Sequence, residues 1–222
     1  MMICPETFYE MRLKGKTPEQ IMSAIRGLKQ EIGRLKNIVE HPNYELRSMV
    51  IHPTEKVQIS MNREYLERAK QALVETVGSY KPSAAEQKSL DFDNSIPYIN
   101  KIEFSIGGFF GGYETKTYTI DTDKVRVDVE HSLIPKPSNI GDAKTEEIDK
   151  QEFLESFKDL HIGEWRKKYD TYRFNIAVMD GTQWHLEIYF SNGHRPVKIY
   201  GDNAYPYNFN RFLELFEIKD GD

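Results

Sequence analysis

A histidine and a glutamate two positions apart, His185 and Glu187, have the side chains of an acid–base pair. They lie in residues 184–190, where apolar and polar side chains alternate. This alternation predicts a β-strand with one buried face, and both side chains would lie on the opposite, polar face. General acid–base catalysis needs titratable groups that converge in this way, and it also needs a pocket that excludes water. A sheet face without catalytic function shows the same residue types, so both interpretations stay open.

The strands predicted beside this one could bring further polar side chains to the same face. The candidates are Arg173, Asn175, Lys198 and Tyr200, and Tyr189 lies on this face in the same strand as His185 and Glu187. We find no nucleophile elbow, zinc-ligand spacing or paired-carboxylate pattern that would add to the acid–base pair. A small hydrolase or isomerase that uses His185 and Glu187 is therefore the alternative function, and we expect no metal ion and no cofactor.

Two pairs of glycines flank two phenylalanines in residues 107–112, Gly-Gly-Phe-Phe-Gly-Gly. A strand follows this segment where a dinucleotide-binding fingerprint would need a helix, so we exclude that fingerprint. Either Phe109 and Phe110 fold back to close one end of the core, or they form an exposed aromatic clamp for a peptide or a small apolar ligand. The expected binding residues are Phe109, Phe110, Tyr113, Tyr189 and Tyr200.

Residues 15–17, Gly-Lys-Thr, match only the end of a phosphate-binding loop. Such a loop needs a further glycine five residues earlier, where this chain has Glu10. The segment instead predicts the start of a helix, with Thr17 as N-cap, Pro18 at the first helical position and Gln20 completing a capping box. We therefore expect no nucleotide site here.

The helix that begins at Pro18 carries apolar residues at heptad spacing up to Val39. A second helix is predicted over residues 62–77, with Gly78 as its left-handed cap, and the two would pack as an antiparallel hairpin. Residues 43–60 are predicted to be a loop with one short strand at 57–59. The heptad seam is either buried by the second helix or used for dimerisation or partner docking.

Two stretches of the chain, residues 98–157 and 172–216, share an order of three predicted strands and a short helix. The predicted strands are 101–106, 116–120 and 124–129 in the first stretch, and 172–179, 184–190 and 195–200 in the second. Both helices contain the pattern Phe-Leu-Glu-x-Phe. We interpret this as an internal duplication, although two unrelated antiparallel meanders would also look alike.

These elements predict an α+β protein. A helical hairpin region over residues 1–81 is followed by a linker at 79–96 and by an α+β domain over residues 97–222. The two β-β-β-α units of that domain would form antiparallel sheet with the helices on its apolar face.

A set of residues in the last predicted strands and the loop after them resembles a recurrent C-terminal signature of uncharacterised bacterial proteins. The set is Trp184, Asn192-Gly193, Gly201-x-Asn203-x-Tyr205-Pro206, Phe209 and Phe212-Leu213. The resemblance implies a bacterial origin and a strand-to-helix turn, and it implies no catalytic residue.

Composition excludes further classes of protein. The net charge of -5 argues against general affinity for nucleic acid. A third interpretation of the function is nevertheless nucleic-acid binding through basic residues on the first helix, namely Arg26, Lys29, Arg34 and Lys36. One cysteine, Cys4, cannot form a disulfide within the chain, and no segment approaches the roughly 20 apolar residues that span a bilayer. We expect a cytoplasmic, non-catalytic binding or protein-interaction module. Its partner would be a protein or peptide rather than a membrane, and a homodimer stays open.

Overall fold

A computed structural model describes residues 3–46, 52–108, 111–132, 146–178 and 180–218. The chain divides into two compact units, Met1–Pro82 and Ser83–Asp222. The described residues form six α-helices and one seven-stranded, mostly antiparallel sheet, which confirms the predicted α+β class. No α-helix within these residues is long and apolar enough to cross a membrane.

The first unit contains helices α1 (Pro5–Arg12), α2 (Pro18–Val39) and α3 (Glu55–Val77). The predicted capping box of α2 is confirmed, since Thr17 accepts from the backbone N–H of Gln20 and Gln20 accepts from that of Thr17. Helix α2 packs along α3. Its seam residues Ile21, Ile25, Ile32 and Leu35 are buried, as are Ile59, Leu66, Ala69 and Leu73 of α3.

Helix α3 begins at Glu55, seven residues earlier than predicted, so the short strand predicted at 57–59 is wrong. The cap explains the difference, because the side chain of Thr54 accepts a hydrogen bond from the backbone N–H of Val57. At the other end Gly78 has φ 80°, which confirms the predicted left-handed cap.

The second unit begins with α4 (Ala84–Ser95), where the sequence predicted a linker. Ser83 and Glu86 form a capping box at the start of this helix. Of its apolar side chains only Phe92 is buried, and Leu90 is exposed. The helix therefore lacks the periodic apolar stripe by which a surface helix is recognised in sequence.

Seven strands of the second unit form the sheet, in the order β4-β3-β2-β1-β6-β7-β5. Among the described strands, β5 and β7 pair in parallel and the other pairs are antiparallel. The strands are β1 (Ile99–Gly108), β2 (Gly112–Ile120), β3 (Lys124–Ser132), β4 (Glu146–Asp149), β5 (Lys168–Asp170), β6 (Gln183–Phe190) and β7 (Val197–Asp202).

One face of this sheet forms the core together with α4, α5 (Lys150–Lys158) and α6 (Phe209–Leu215). The Phe-Leu-Glu-x-Phe pattern has a physical reason in both α5 and α6, because its two phenylalanines lie one helical turn apart and are buried in the core. The rings of Phe212 and Phe216 stack with centroids 4.1 Å apart, and those of Phe153 and Phe157 stack at 6.0 Å. The prediction that helices cover the apolar face is confirmed.

The strand predicted at 172–179 is wrong. The chain instead forms a short 3-10 helix, Thr171–Phe174, whose start is capped by the side chain of Asp170. Asn175 follows with φ 57°, a left-handed conformation that ends the turn, and Val178 is 41% exposed. Phe104 lies in a central strand, whereas Phe174 lies in a helical turn. The second stretch therefore lacks the first of its three predicted strands, and it does not match the first stretch there.

Candidate functional site

The sheet face opposite to the core carries most of the side chains that the sequence selected for binding or catalysis. We call it the polar face. It comprises the odd-numbered residues 101–107, 113–119 and 183–189 of β1, β2 and β6, and the even-numbered residues 124–132 and 198–202 of β3 and β7. At its edges it adds residues 147 and 149 of β4 and residues 168 and 170 of β5.

Two carboxylates meet on this face and share one phenol. Glu103 and Glu187 are directly paired across β1 and β6. The hydroxyl of Tyr189 lies 2.5 Å from Oε2 of Glu187 and 3.1 Å from Oε2 of Glu103. Like charges directly opposite each other destabilise a sheet, and two lysines offset this repulsion. Lys198 donates to Glu187 at 2.8 Å, and Lys101 donates to Glu103 at 2.9 Å.

The protonation of this group follows from its hydrogen bonds. The hydrogen bond to Glu187 and partial burial raise the pKa of Tyr189, so the phenol stays neutral. Partial burial alone would raise the pKa of Glu187, but hydrogen bonds from Lys198 and Tyr189 outweigh it and lower that pKa. Glu187 is therefore a carboxylate at neutral pH, held by two donors.

His185 lies two residues before Glu187 in β6 and is half-buried on the same face. Burial lowers its pKa, although the charge of Glu187 acts in the opposite direction. The imidazole is therefore neutral at neutral pH, and its ring lies 5.2 Å from the ring of Tyr200 at 87°. Within the described ranges no hydrogen bond joins His185 to Glu187. The predicted acid–base pair lies on one face as expected, with its carboxylate engaged by other groups.

Sequence reasoning missed Ser105 and Thr115, which lie beside His185. Ser105 is the register partner of both His185 in β6 and Thr115 in β2. Both hydroxyl residues are buried, and Oγ1 of Thr115 lies 3.1 Å from Oγ of Ser105. Ser105 and Thr115 meet across the consecutive strands β1 and β2, but only the pairing of β1 with the distant β6 brings them to His185, so no local signal reveals the group.

Register partners thus form one line across the sheet from Lys168 in β5 to Glu130 in β3, and we call the five from β7 to β3 the central row. Its members are Tyr200, His185, Ser105, Thr115 and Glu130. Glu130 is half-buried at the β3 end. Its Oε2 atom is closed to solvent and has no hydrogen-bond partner among the described residues.

The cations of the polar face are paired with its own carboxylates. The ion pairs are Lys101–Glu103, Lys124–Glu147, Arg126–Asp128, Lys168–Asp170 and Lys198–Glu187. These five pairs include every described lysine and arginine of the face.

The predicted binding residues differ in how exposed their side chains are and in what those side chains contact. Phe109 and Phe110 lie outside the described residues. Tyr113 is 7% exposed and its hydroxyl lies 3.0 Å from Oε1 of Gln183, while Tyr189 is held in the carboxylate group above. Tyr200 is 40% exposed, so of the three tyrosines it presents the most accessible ring.

Arg173 and Asn175 do not join the polar face, and that prediction is wrong. Both lie in the helical turn that replaces the expected strand. The guanidinium of Arg173 lies over the ring of Phe174 at 4.9 Å.

The residues that carry the C-terminal signature hold a turn together. The indole N–H of Trp184 donates to the carbonyl of Ala204 at 3.0 Å. A Cβ atom on Gly201 would lie 1.9 Å from that indole nitrogen, so only glycine fits here. Asn203 has φ 51° and its Oδ1 accepts from the backbone N–H of Thr182 at 2.9 Å. These contacts are structural.

Among the residues described, no group of three or more His, Cys, Asp or Glu side chains is placed to hold a metal ion. Comparison of the chain with known protein families, with curated proteins and with solved structures gave no match. The geometry of the polar face is therefore the basis on which a function is proposed.

Proposed function

We propose that the chain is a non-catalytic binding protein that uses its polar face to hold a segment of a protein partner. The observation that carries this proposal is the one-sided construction of the sheet. Helices α4, α5 and α6 contribute to the core on one face, and the other face presents polar and aromatic side chains. A sheet of this kind offers a broad contact surface on rigid elements.

The order of this face supports binding. The network of Glu103, Glu187 and Tyr189 fixes its side chains by short hydrogen bonds, and Ser105 and Thr115 fix each other. Side chains that are already fixed lose little conformational entropy when a partner binds, which favours affinity. Phe109 and Phe110 stay predicted contributors, because in the sequence they stand between Gly108 of β1 and Gly112 of β2, which are register partners.

The alternative, a small hydrolase or isomerase using His185 and Glu187, receives less support from the geometry. A general acid–base pair acts through a carboxylate that orients or exchanges a proton with its partner. Here the Glu187 carboxylate is taken by Tyr189 and Lys198. Binding is accordingly the function that the arrangement favours.

The test is selection of peptides from a displayed random-peptide library against the full chain, followed by calorimetric titration of the enriched peptides. Tyr200→Ala and His185→Ala remove contacts from the polar face. Tyr172→Ala is the matched control, because Tyr172 is 70% exposed and lies in the helical turn outside the sheet. We expect about tenfold weaker binding for each face variant and unchanged binding for the control, a difference of about 1.4 kcal/mol.

Failure to enrich any peptide would contradict the proposal. So would peptides whose affinity is the same for the wild type, Tyr200→Ala and His185→Ala.

A further inference from the structure

We propose that the segment held by the polar face is basic, with one lysine or arginine side chain over the ring of Tyr200 and a second beside Glu130. This inference rests on the proposed function, because it names the chemistry of the partner for the same face. Three features carry it: the excess of carboxylates on the face, the exposed ring at one end of the central row, and the distance between the two ends.

The polar face has more carboxylates than cations. Its five described cations are each neutralised by a carboxylate of the same face. Three carboxylates of the face form no ion pair with a lysine or arginine within the described part of the chain, namely Glu130, Asp149 and Asp202. The whole second unit shares this excess, with 17 lysines and arginines against 25 aspartates and glutamates after residue 82. A complementary partner is positively charged, since charge complementarity steers association and excludes wrong partners.

Two of the three unpaired carboxylates have other local donors. Asp149 accepts from the backbone N–H of Glu152 at the start of α5, and Asp202 accepts from the side-chain amide of Asn203 at 2.8 Å. Glu130 differs, because its Oε2 is closed to solvent and no donor in the described ranges reaches it. A charged oxygen removed from water without a donor is costly. The residue as a whole is only half-buried, so a partner's cation beside its exposed part would lower that cost by its charge.

Tyr200 provides the second contact at the opposite end of the central row. Its ring is 40% exposed and is held against the imidazole of His185. Asp202 lies two residues further along β7 on the same face. An aromatic ring next to a carboxylate is a favourable environment for a lysine or arginine side chain, which gains from both the ring and the charge.

The distance between these ends sets the spacing of the basic residues. The central row crosses from β7 to β3, four strand-to-strand steps, or about 19 Å at the usual spacing of strands. An extended peptide advances about 3.3 Å per residue and covers that distance in about six residues. We therefore expect two basic side chains about six positions apart. Nucleic acid does not fit this face, because its negatively charged phosphates would be repelled by the excess of carboxylates.

The experiment uses the peptides enriched from the displayed library, with fluorescence anisotropy at low and at raised salt. Two face variants, Glu130→Gln and Tyr200→Ala, are each compared with a control of the same residue types, Glu214→Gln and Tyr172→Ala. Glu214 is exposed in α6, and Tyr172 is exposed in the helical turn. Circular dichroism establishes that all four variants are folded.

We expect enriched peptides to contain two lysines or arginines about six positions apart, to bind more weakly as salt is raised, and to lose about tenfold affinity in each face variant but not in the controls. Acidic or neutral peptides that lose affinity for Tyr200→Ala would overturn the basic partner while supporting the proposed function. No enriched peptide at all would overturn both. A dimer in light scattering that Glu130→Gln and Tyr200→Ala abolish would assign the face to a second copy and also overturn the basic partner.

Discussion

At the scale of single residues, the polar face depends on a few side chains that hydrogen-bond to two neighbouring carboxylates. Tyr189 has one proton for two carboxylates, so it donates to one of them at a time, and the lysines on either side balance the remaining charge. Substitutions in this group therefore change stability through charge rather than through packed volume.

Stability should depend on pH through Glu187. Its pKa is lowered in the folded chain, so its contribution is complete above the unfolded value of about 4.3 and is lost as pH falls through the folded value. We expect Glu187→Gln to cost about 1–2 kcal/mol at neutral pH and to flatten the loss of stability on acidification. Urea unfolding at a series of pH values measures this.

Glu214→Gln serves as the control for that series, because Glu214 is exposed on α6. An equal pH dependence for Glu187→Gln and the wild type would show that the network does not hold Glu187 as described.

Gly201 should tolerate no side chain. The added Cβ of Gly201→Ala would meet the indole of Trp184, which is fully buried and hydrogen-bonded to Ala204, so it has no room to yield. We expect a loss of about 1–3 kcal/mol or more in the free energy of urea unfolding. Gly111→Ala is the control, because no atom of the described residues lies within 4 Å of its added Cβ, and a similar loss there would contradict this reason.

At the scale of elements, the sequence predicts those helices and strands whose signals are local. Thr17 and Gly78 each mark a helix end by a side chain or a backbone conformation that belongs to that end, and both are confirmed. Strands β4 and β5 have four and three residues, so they are too short to show an alternating pattern. Their existence depends on pairing with distant strands.

At residues 172–179 the sequence shows the pattern of a strand, but the structure has no strand there. The alternation of Phe174, Ile176 and Val178 is the pattern of a strand, yet the Asp170 cap and the left-handed Asn175 turn the chain there. Aspartate and asparagine favour such turns, and this local signal prevailed over the periodic one.

Two glycines in the middle of α2 give a prediction for that helix. Gly27 and Gly33 have nothing within 4 Å of an added Cβ, and neither has a positive φ. Alanine loses less backbone entropy than glycine in a helix, so Gly27→Ala and Gly33→Ala should each raise the free energy of unfolding by about 1 kcal/mol. Chemical unfolding followed by circular dichroism measures the change.

Gly78→Ala is the contrasting variant for the same unit. Its φ of 80° strains any other residue, so the expected sign is a loss of stability. Destabilisation by Gly27→Ala or Gly33→Ala would contradict the open surroundings seen around these glycines.

At the scale of the whole molecule, the polar face depends on register, and register is what the sequence leaves open. Alternation in β6 is enough to place His185 and Glu187 on one face. It does not show that Ser105, Thr115 and Glu130 continue the line of His185, because that requires the order of four strands. The side of the sheet was predictable, and the neighbours across it were not.

The core of the second unit converges on Phe216, just after α6. Its ring contacts Phe212, Tyr118 and Phe104 with centroid distances of 4.1, 4.5 and 5.8 Å, so it joins a helix to two strands. Phe216 is fully buried, and Phe216→Ala would leave a cavity that the surrounding rings cannot fill. We expect a loss of about 3–5 kcal/mol in the free energy of unfolding, a cost typical of a buried phenylalanine.

Tryptophan fluorescence in urea measures this loss, because both tryptophans, Trp165 and Trp184, are buried in that core. Leu215→Ala is the matched control, since Leu215 is the neighbouring residue and only half-buried, and it should cost distinctly less. The hydroxyl of Tyr118 donates a hydrogen bond to the backbone carbonyl of residue 216, and Phe216→Ala keeps that carbonyl. The difference in unfolding free energy between the two variants therefore measures the contribution of the Phe216 ring. Equal losses in the two variants would mean that Phe216 is not the side chain on which sheet and helices converge.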